Sequence, residues 1–171
     1  MGNDDRRDDA RTAGDGPTFT PAVEQMLERA HDMCRRHGAR LTQQRRQVLG
    51  LVLSADRPIG AYDLLDCLRR DTKGAAPPTV YRALDFLLEH GLIHKIERLS
   101  AFVACRHMLH NAHDCENHLH SAQFLICTRC GHVTELEDSQ IVHALVAATQ
   151  ARKFSIRTST IEAEGICAAC A

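Results

Sequence analysis

Two cysteine pairs in the second half of the chain have the spacing of metal-binding knuckles. Cys127 and Cys130 form one Cys-x-x-Cys pair, and Cys167 and Cys170 form the other. Each pair brings two thiolates within reach of one ion, and four thiolates make the closed tetrahedral set of a structural zinc site. A long segment separates the pairs, so a shared Zn²⁺ would fasten two distant parts of the chain together. Redox dithiols or disulfides are the alternative.

The cysteine content favours a reducing compartment. The chain holds eight cysteines, and its first residues, Met1 to Arg7, contain no apolar run of the kind that starts a secretion signal. No segment is apolar and long enough to cross a membrane. We therefore expect a cytoplasmic protein without a membrane partner, in which thiols bind metal rather than form disulfides.

A second group of metal-ligand residues lies in the middle of the chain. Five of the eleven histidines fall close together with two cysteines. These residues are Cys105, His107, His110, His113, Cys115, His118 and His120. The stretch lacks apolar periodicity, so it reads as a linker rich in metal ligands.

Apolar spacing and breakers predict the elements that position these ligands. Helices are expected from Pro21 to about Arg36, after Thr42, from Ala61 to about Arg70, and from Thr79 to His90. Two short strands follow, at 92–97 and 101–105. Beyond the linker we expect strands at 122–127, 132–137 and 154–164, with a helix from Ser139 to about Ala151.

This order of elements predicts an α+β protein with two folded units. Residues 1–19 read as a disordered tail, 20–105 as a winged helix-turn-helix domain and 106–121 as a hinge. Residues 122–171 read as a small α/β domain with a three-stranded sheet and one helix. Such a domain is too thin to be stable alone, so we expect the protein to form a homodimer through it. Residues 20–100 carry thirteen Arg/Lys against ten Asp/Glu, which permits nucleic-acid binding without demanding it.

Together with the knuckles, several motifs of the N-terminal half resemble the ferric uptake regulator family. These are Pro77–Gly91 (PPTVYRALDFLLEHG), Arg40–Arg45 (RLTQQR), Ala61–Asp66 (AYDLLD) and Ile93–Glu97 (IHKIE). The last three are similar to the zinc uptake regulator branch in particular. The resemblance runs from about Gln25 to Cys170. It implies a dimeric, metal-dependent transcription factor that represses zinc-uptake genes and binds palindromic, AT-rich operators in double-stranded DNA.

The resemblance also implies a regulatory zinc site at the hinge. The matching residues are His94, Cys105, His120 and Glu135. Two imidazoles, a thiolate and a carboxylate form a mixed tetrahedral set that releases zinc more readily than four thiolates do. His118 is a candidate ligand of a further zinc, with a solvated His-rich linker as the alternative.

Four residues are candidates for DNA contact because of their place in the predicted winged helix. Thr79, Tyr81 and Arg82 lie in the first turns of the predicted recognition helix, where arginine reads guanine and threonine donates to phosphate. Tyr62 lies near the start of the preceding helix and suits a thymine methyl or the backbone. Packing of Tyr81 in the core is the alternative. Two dimers on one operator are a further arrangement that the sequence allows.

Other functions fit the sequence less well. Iron-type members of the family carry a His-His-Asp-His cluster directly before the first knuckle, whereas 122–126 reads AQFLI, which disfavours an iron- or peroxide-responsive regulator. No His-x-Glu or Gly-x-Ser-x-Gly motif occurs, so no enzyme is expected. A zinc-buffering protein would leave the predicted winged helix unexplained.

Overall fold

The computed structural model describes residues 17–71, 75–105, 121–156 and 159–171. The helices within these ranges are α1 (Pro21–Arg36), α2 (Gln43–Ser54), α3 (Ala61–Asp71), α4 (Pro77–Glu89) and α5 (Ser139–Gln150). The strands are β1 (Ile59–Gly60), β2 (Ile93–Ile96), β3 (Ala101–Ala104), β4 (Ser121–Cys127), β5 (Val133–Leu136) and β6 (Ser159–Gly165), with a 3₁₀ turn at Glu97–Leu99. The predicted tail, up to residue 16, and most of the predicted hinge lie outside the described residues.

Local sequence explains where the helices begin. Thr20 caps α1, because its hydroxyl accepts a hydrogen bond from the Val23 amide at 3.4 Å, and Pro21 occupies the first helical position. Helix α4 begins at Pro77, two residues before the predicted start at Thr79. The backbone amides in the first turn of a helix have no carbonyl partner within the helix, so a proline loses no hydrogen bond there, and its φ suits a helix. The two prolines therefore start this helix rather than precede it.

The first half of the protein is a helical core with a small antiparallel sheet on one side. The sheet has the order β1-β3-β2, and the hairpin of β2 and β3 is the predicted wing. Strand β1 has only two residues and forms solely by pairing with β3, so its own sequence gives no sign of it. Helices α1 to α4 surround a fully buried centre formed by Leu27, Val48, Leu64, Leu84 and Leu87.

The second half is a three-stranded sheet with one helix, as predicted. Its order is β5-β4-β6, with β4 antiparallel to β5 and parallel to β6. The third strand starts at Ser159, later than the predicted start at Phe154, and Phe154 itself lies outside any strand and is largely exposed. Helix α5 has no buried residue.

The wing and the second sheet share a small apolar core. Ile96 of β2 packs with Ala122, Phe124 and Ile126 of β4, and Phe124 and Ile96 are almost completely buried. The two halves are therefore in contact through side chains of the wing as well as through the chain that joins them. The described helices include none with the length and apolar character needed to cross a lipid bilayer.

Candidate metal centres and nucleic-acid interface

The topology of the second sheet explains why the two knuckles meet. Strands β4 and β6 are parallel, and Cys127 pairs with Gly165, so both strands end at the same edge. The first knuckle follows β4 and the second follows β6. Gly131 closes the first knuckle with φ +70°, a left-handed conformation in which a side chain would be strained. Its amide donates to the Cys127 carbonyl at 2.9 Å, as the Cys170 amide does to Cys167.

The four knuckle sulfurs form a compact group. The Sγ atoms of Cys127, Cys130, Cys167 and Cys170 all lie within 4.8 Å of one another. The Cys130 and Cys167 sulfurs are 3.8 Å apart. Zinc–sulfur bonds of about 2.3 Å in a tetrahedron place neighbouring sulfurs about 3.8 Å apart. The donor set and its size therefore fit a tetrahedral zinc ion.

The ionisation of this cluster also favours a cation. Hydrogen bonds from the Cys167 amide and neighbouring groups lower the pKa of Cys127 to about 6. Side-chain hydrogen bonds to Cys167 and Cys130, with further effects of burial and the charge on Cys127, raise the pKa of Cys170 to about 12. The Cys127 thiolate thus forms easily and the Cys170 thiolate does not, because the Cys170 thiol is held in hydrogen bonds with its neighbouring sulfurs and the charge on Cys127 adds to the cost. A divalent cation would remove that penalty.

Three of the four residues predicted for a regulatory site lie together. The ligand atoms of His94, Cys105 and Glu135 all fall within 4.8 Å of one another, and His94 Nε2 is 3.6 Å from a Glu135 oxygen. His94 belongs to β2, Cys105 directly follows β3, and Glu135 belongs to β5, so the group spans the contact between the wing and the second sheet. His120, which directly precedes β4, and His118 lie outside the described residues.

The surroundings of this second group hold its side chains in place. Cys105 is 1% exposed, and its amide donates to the Leu92 carbonyl at 3.1 Å, which fixes its position at the base of the wing. The His94 and Glu135 side chains are 15% and 12% exposed. The His94 ring meets the Phe124 ring edge to face, with centroids 5.7 Å apart. One nitrogen, one sulfur and one oxygen donor converge here, a set that suits zinc and supplies three of the four ligands of a tetrahedral site.

The candidate DNA-contacting residues lie at the starts of α3 and α4. Tyr62 is 72% exposed and Tyr81 46% exposed, so Tyr81 is not a core residue. Arg82 is exposed next to Tyr81, whereas Thr79 is half-buried. Their α4 neighbours Val80, Ala83 and Leu84 are buried, so the helix is anchored on one side and presents Tyr81 and Arg82 on the other. Such a helix can enter a major groove without losing its support.

A stack of three side chains forms at the C-terminal part of α4. The Arg45 guanidinium lies 3.6 Å from the centre of the Phe86 ring, and Phe86 stacks on His90 at 4.0 Å. Arg45 also donates to the Arg40 carbonyl at 2.7 Å. These contacts tie α2 and the loop before it to the C-terminal part of α4.

One residue with a prominent place between the two halves has no sequence signal. The Glu162 carboxylate on β6 accepts hydrogen bonds from the Glu97 amide at 2.7 Å and the Arg98 amide at 3.1 Å. A single glutamate in an alternating strand resembles any solvated charge, and its partners are backbone amides that every residue carries. Sequence reasoning had nothing to distinguish it.

Known proteins share this architecture. The model of the ferric uptake regulator family matches residues 36–164. The zinc uptake regulation protein of Escherichia coli (strain K12) is 43% identical over 153 residues, covering 86% of this chain and 82% of that protein.

Two solved structures are similar over nearly their full length. One is a zinc uptake regulator complexed with zinc and DNA, with a TM-score of 0.78 and 39% identity, covering 88% of this chain and 96% of that one. The other is the holo form of XcZur, with a TM-score of 0.74 and 43% identity, covering 85% and 96%. The residues that the family model matches, 36–164, include the wing, nearly all of the second sheet and the first knuckle. The chain therefore belongs to the ferric uptake regulator family.

Proposed function

We propose that this chain is a zinc-responsive transcription repressor that binds palindromic, AT-rich operators as a zinc-loaded dimer in the cytoplasm and represses zinc-uptake genes. Members of this family are transcription regulators, not enzymes. The observation that carries the proposal is the convergence of His94 and Cys105 from the wing with Glu135 from the second sheet. Ligands drawn from two halves of the protein make metal binding depend on how those halves are placed.

The proposed mechanism follows from that placement. His94 and Cys105 would hold zinc from the wing, and Glu135, with His120 as the proposed fourth ligand, from the side of the second sheet. A bound ion supplies the positive charge that allows these donors to stay close together. Only the arrangement with the wing seated on the sheet offers all of them, so zinc raises the population of that arrangement. Linkage of this kind usually changes the second affinity by about 5- to 150-fold.

The four knuckle cysteines have a different proposed role. Their cluster lies within the second half alone and joins the ends of β4 and β6. Zinc there would stabilise the fold of the second domain rather than report the zinc concentration, because four thiolates bind zinc tightly and the site is closed.

The ligand chemistry favours zinc over iron. The second group contains the Cys105 thiolate, a soft donor that suits zinc. The positions where the iron-type cluster would lie, 122–126, read AQFLI and contain no histidine, cysteine or carboxylate. The one polar residue among them, Gln123, is buried and donates to the Asp138 carbonyl at 3.0 Å. An iron- or peroxide-responsive regulator is the alternative of the same family, and a zinc buffer is the alternative outside it.

We also propose that two dimers bind one operator. Asp66 and Arg69 are exposed on α3 and lie 3.7 Å apart within one protomer. Such a pair is free to exchange partners with the same pair on a neighbouring dimer, because it is worth little in water. The mass of the complex on DNA, measured by sedimentation, distinguishes one dimer from two.

The test of the function is fluorescence anisotropy of a labelled AT-rich palindromic duplex titrated with protein. Zinc is buffered at trace and raised free concentrations, with Fe²⁺ and Mn²⁺ in parallel at one ionic strength. Tight binding with zinc alone is the expected result. A response to Fe²⁺ alone would indicate the iron-responsive alternative. Binding of zinc by the protein without any effect on its DNA affinity would indicate a zinc buffer.

A further inference from the structure

Three residues form a row across the second sheet, on the face that contacts the wing. Phe124 of β4 is paired with Glu135 of β5 on one side and with Glu162 of β6 on the other. Residues paired across neighbouring strands project to the same face of a sheet. A carboxylate therefore lies on each side of the buried Phe124 ring.

The wing crosses this row and meets each member in turn. His94 lies 3.6 Å from Glu135. Two residues later, Ile96 packs in the apolar core with Phe124. The turn that follows donates its first two amides, those of Glu97 and Arg98, to Glu162. The wing is thus held at two polar points with an apolar seat between them.

The two polar points differ in what they require. At the first point, His94 and Glu135 belong to the proposed metal site. At the second, one carboxylate accepts two backbone amides at 2.7 and 3.1 Å, and hydrogen bonds to an ionised carboxylate are stronger than those between neutral groups. An ion pair between Arg98 and Glu164 lies beside it. The second point is complete without a metal ion.

We propose that Glu162 is a positioning residue that seats the wing on the second sheet before zinc binds and thereby sets the zinc concentration at which the protein responds. The proposal rests on the proposed zinc site. The apolar contact of Ile96 with Phe124 holds the middle of the wing, and the hydrogen bonds to Glu162 add a second polar point that limits rotation of the wing about that contact. Glu162 lowers the cost of bringing His94 and Cys105 to Glu135, so zinc binds to a site that is already assembled.

Loss of this contact should weaken zinc binding although no zinc ligand is removed. In Glu162→Ala, part of the binding free energy of zinc is spent on seating the wing. We expect the affinity of the second zinc ion to fall about tenfold, within the usual range of such couplings. In Glu162→Gln the side chain keeps its length and an acceptor oxygen but loses its charge, so we expect a smaller decrease. Glu137→Gln removes an exposed carboxylate after β5 and is the matched control.

The experiment measures zinc binding without DNA. Reduced protein that retains one zinc ion per protomer is titrated with zinc against a chromophoric chelator, for the parent, Glu162→Ala, Glu162→Gln and Glu137→Gln. Amide hydrogen exchange is measured in parallel on protein that lacks the second zinc ion. The Glu97 and Arg98 amides should exchange faster in Glu162→Ala than in the parent. Circular dichroism and Tm report the fold of each variant.

The outcomes separate this proposal from a structural role and from the proposed function. An unchanged zinc affinity in Glu162→Ala would overturn it, as would a decrease accompanied by loss of the retained zinc ion or a clearly lower Tm in both Glu162 variants. DNA anisotropy adds a further check, since the zinc midpoint should rise while the affinity at saturating zinc is restored. If the parent shows no effect of zinc on DNA binding but Glu162→Ala still binds zinc more weakly, the proposed function fails and the role of Glu162 stands.

Discussion

The candidate zinc ligands form two sets, one for each proposed zinc ion. The sulfurs of the knuckles form a closed set within one half, whereas His94, Cys105 and Glu135 are donated by both halves. The consequence of removing a ligand should differ accordingly. On the proposed roles, loss of a ligand of the first set should impair the fold, and loss of a ligand of the second set should impair the response to zinc.

Cys105→Ser tests the second set. The serine oxygen is a poor zinc ligand at neutral pH, and the buried position accepts it without a change of volume that would disturb the wing. We expect the DNA affinity to lose most of its dependence on zinc, with the dimer and the far-ultraviolet circular dichroism spectrum unchanged. Anisotropy at buffered zinc measures the first effect. A parent-like zinc response would remove Cys105 from the site.

Cys127→Ser is the matched change in the first set. Structural zinc contributes folding free energy, so this variant should lose zinc, lower the Tm and weaken the dimer. Metal analysis after gel filtration, combined with thermal unfolding, measures these effects. A folded dimer with a normal Tm would show that the four-sulfur cluster is dispensable for the fold.

Arg82→Ala tests the candidate DNA interface. Arg82 is exposed beside Tyr81 on α4, and loss of one arginine contact to a base should weaken specific binding by about 1–3 kcal/mol. Zinc content should stay as in the parent. Arg152→Ala in the second half, where the exposed Arg152 guanidinium donates to the Ala148 carbonyl at 2.8 Å, carries the same charge change and should leave DNA affinity unaltered.

Among the elements, α2 and the segment that precedes α1 approach each other closely at Gly50 and Phe19. A Cβ atom added at Gly50 would lie 2.3 Å from the Phe19 ring. Real contacts of that length do not occur, so the ring must move. Phe19 is partly buried against the core of the first half, so moving its ring loses part of that contact.

Gly50→Ala should therefore destabilise the protein although alanine favours helices. Overpacking of this kind costs about 1–3 kcal/mol, more than the gain in helix propensity of about 1 kcal/mol. Urea unfolding measures the net effect. The double variant with Phe19→Ala should be less destabilised than the sum of the two single changes, since the smaller side chain removes the clash. Additive effects would show that the clash is absent.

The elements themselves could largely be predicted, and the contacts between them could not. Thr20 and Pro21 mark the start of α1, and the knuckle spacing predicts the four-sulfur set. Strand β1 exists only through its pairing with Phe102 and Ala101, and the parallel alignment of β4 with β6 depends on tertiary structure. The role proposed for Glu162 follows from backbone amides, which leave no pattern in a sequence.

In the protomer as a whole, the described residues leave one apolar face of the second half uncovered. Leu125 is 47% exposed and Ile141 37% exposed, and α5 buries none of its residues. Leu125 alternates with Phe124 along β4, so it projects away from the wing. The exposed apolar side chains therefore lie where a second copy can cover them without disturbing the contact with the wing.

Leu125→Asp should convert the proposed dimer to a monomer. A buried carboxylate on each side of a two-fold interface would be unpaired and close to its own copy. Analytical ultracentrifugation measures the mass, and affinity for a palindromic duplex should fall with it. Leu99→Asp makes the same change at another exposed apolar residue, in the turn of the wing, and should remain dimeric. A dimeric Leu125→Asp would place the interface elsewhere.

The alternation along β4 also constrains how the length of this strand can vary. Phe124 and Ile126 face the wing, while Leu125 faces away, and the cysteine at the end of the strand is in register with Gly165. A single residue inserted or deleted within β4 would reverse the faces of the side chains on one side of the change relative to those on the other, so Phe124 and Cys127 could no longer both keep their places. In a library of single substitutions, insertions and deletions, we expect β4 to tolerate many substitutions but no change of length.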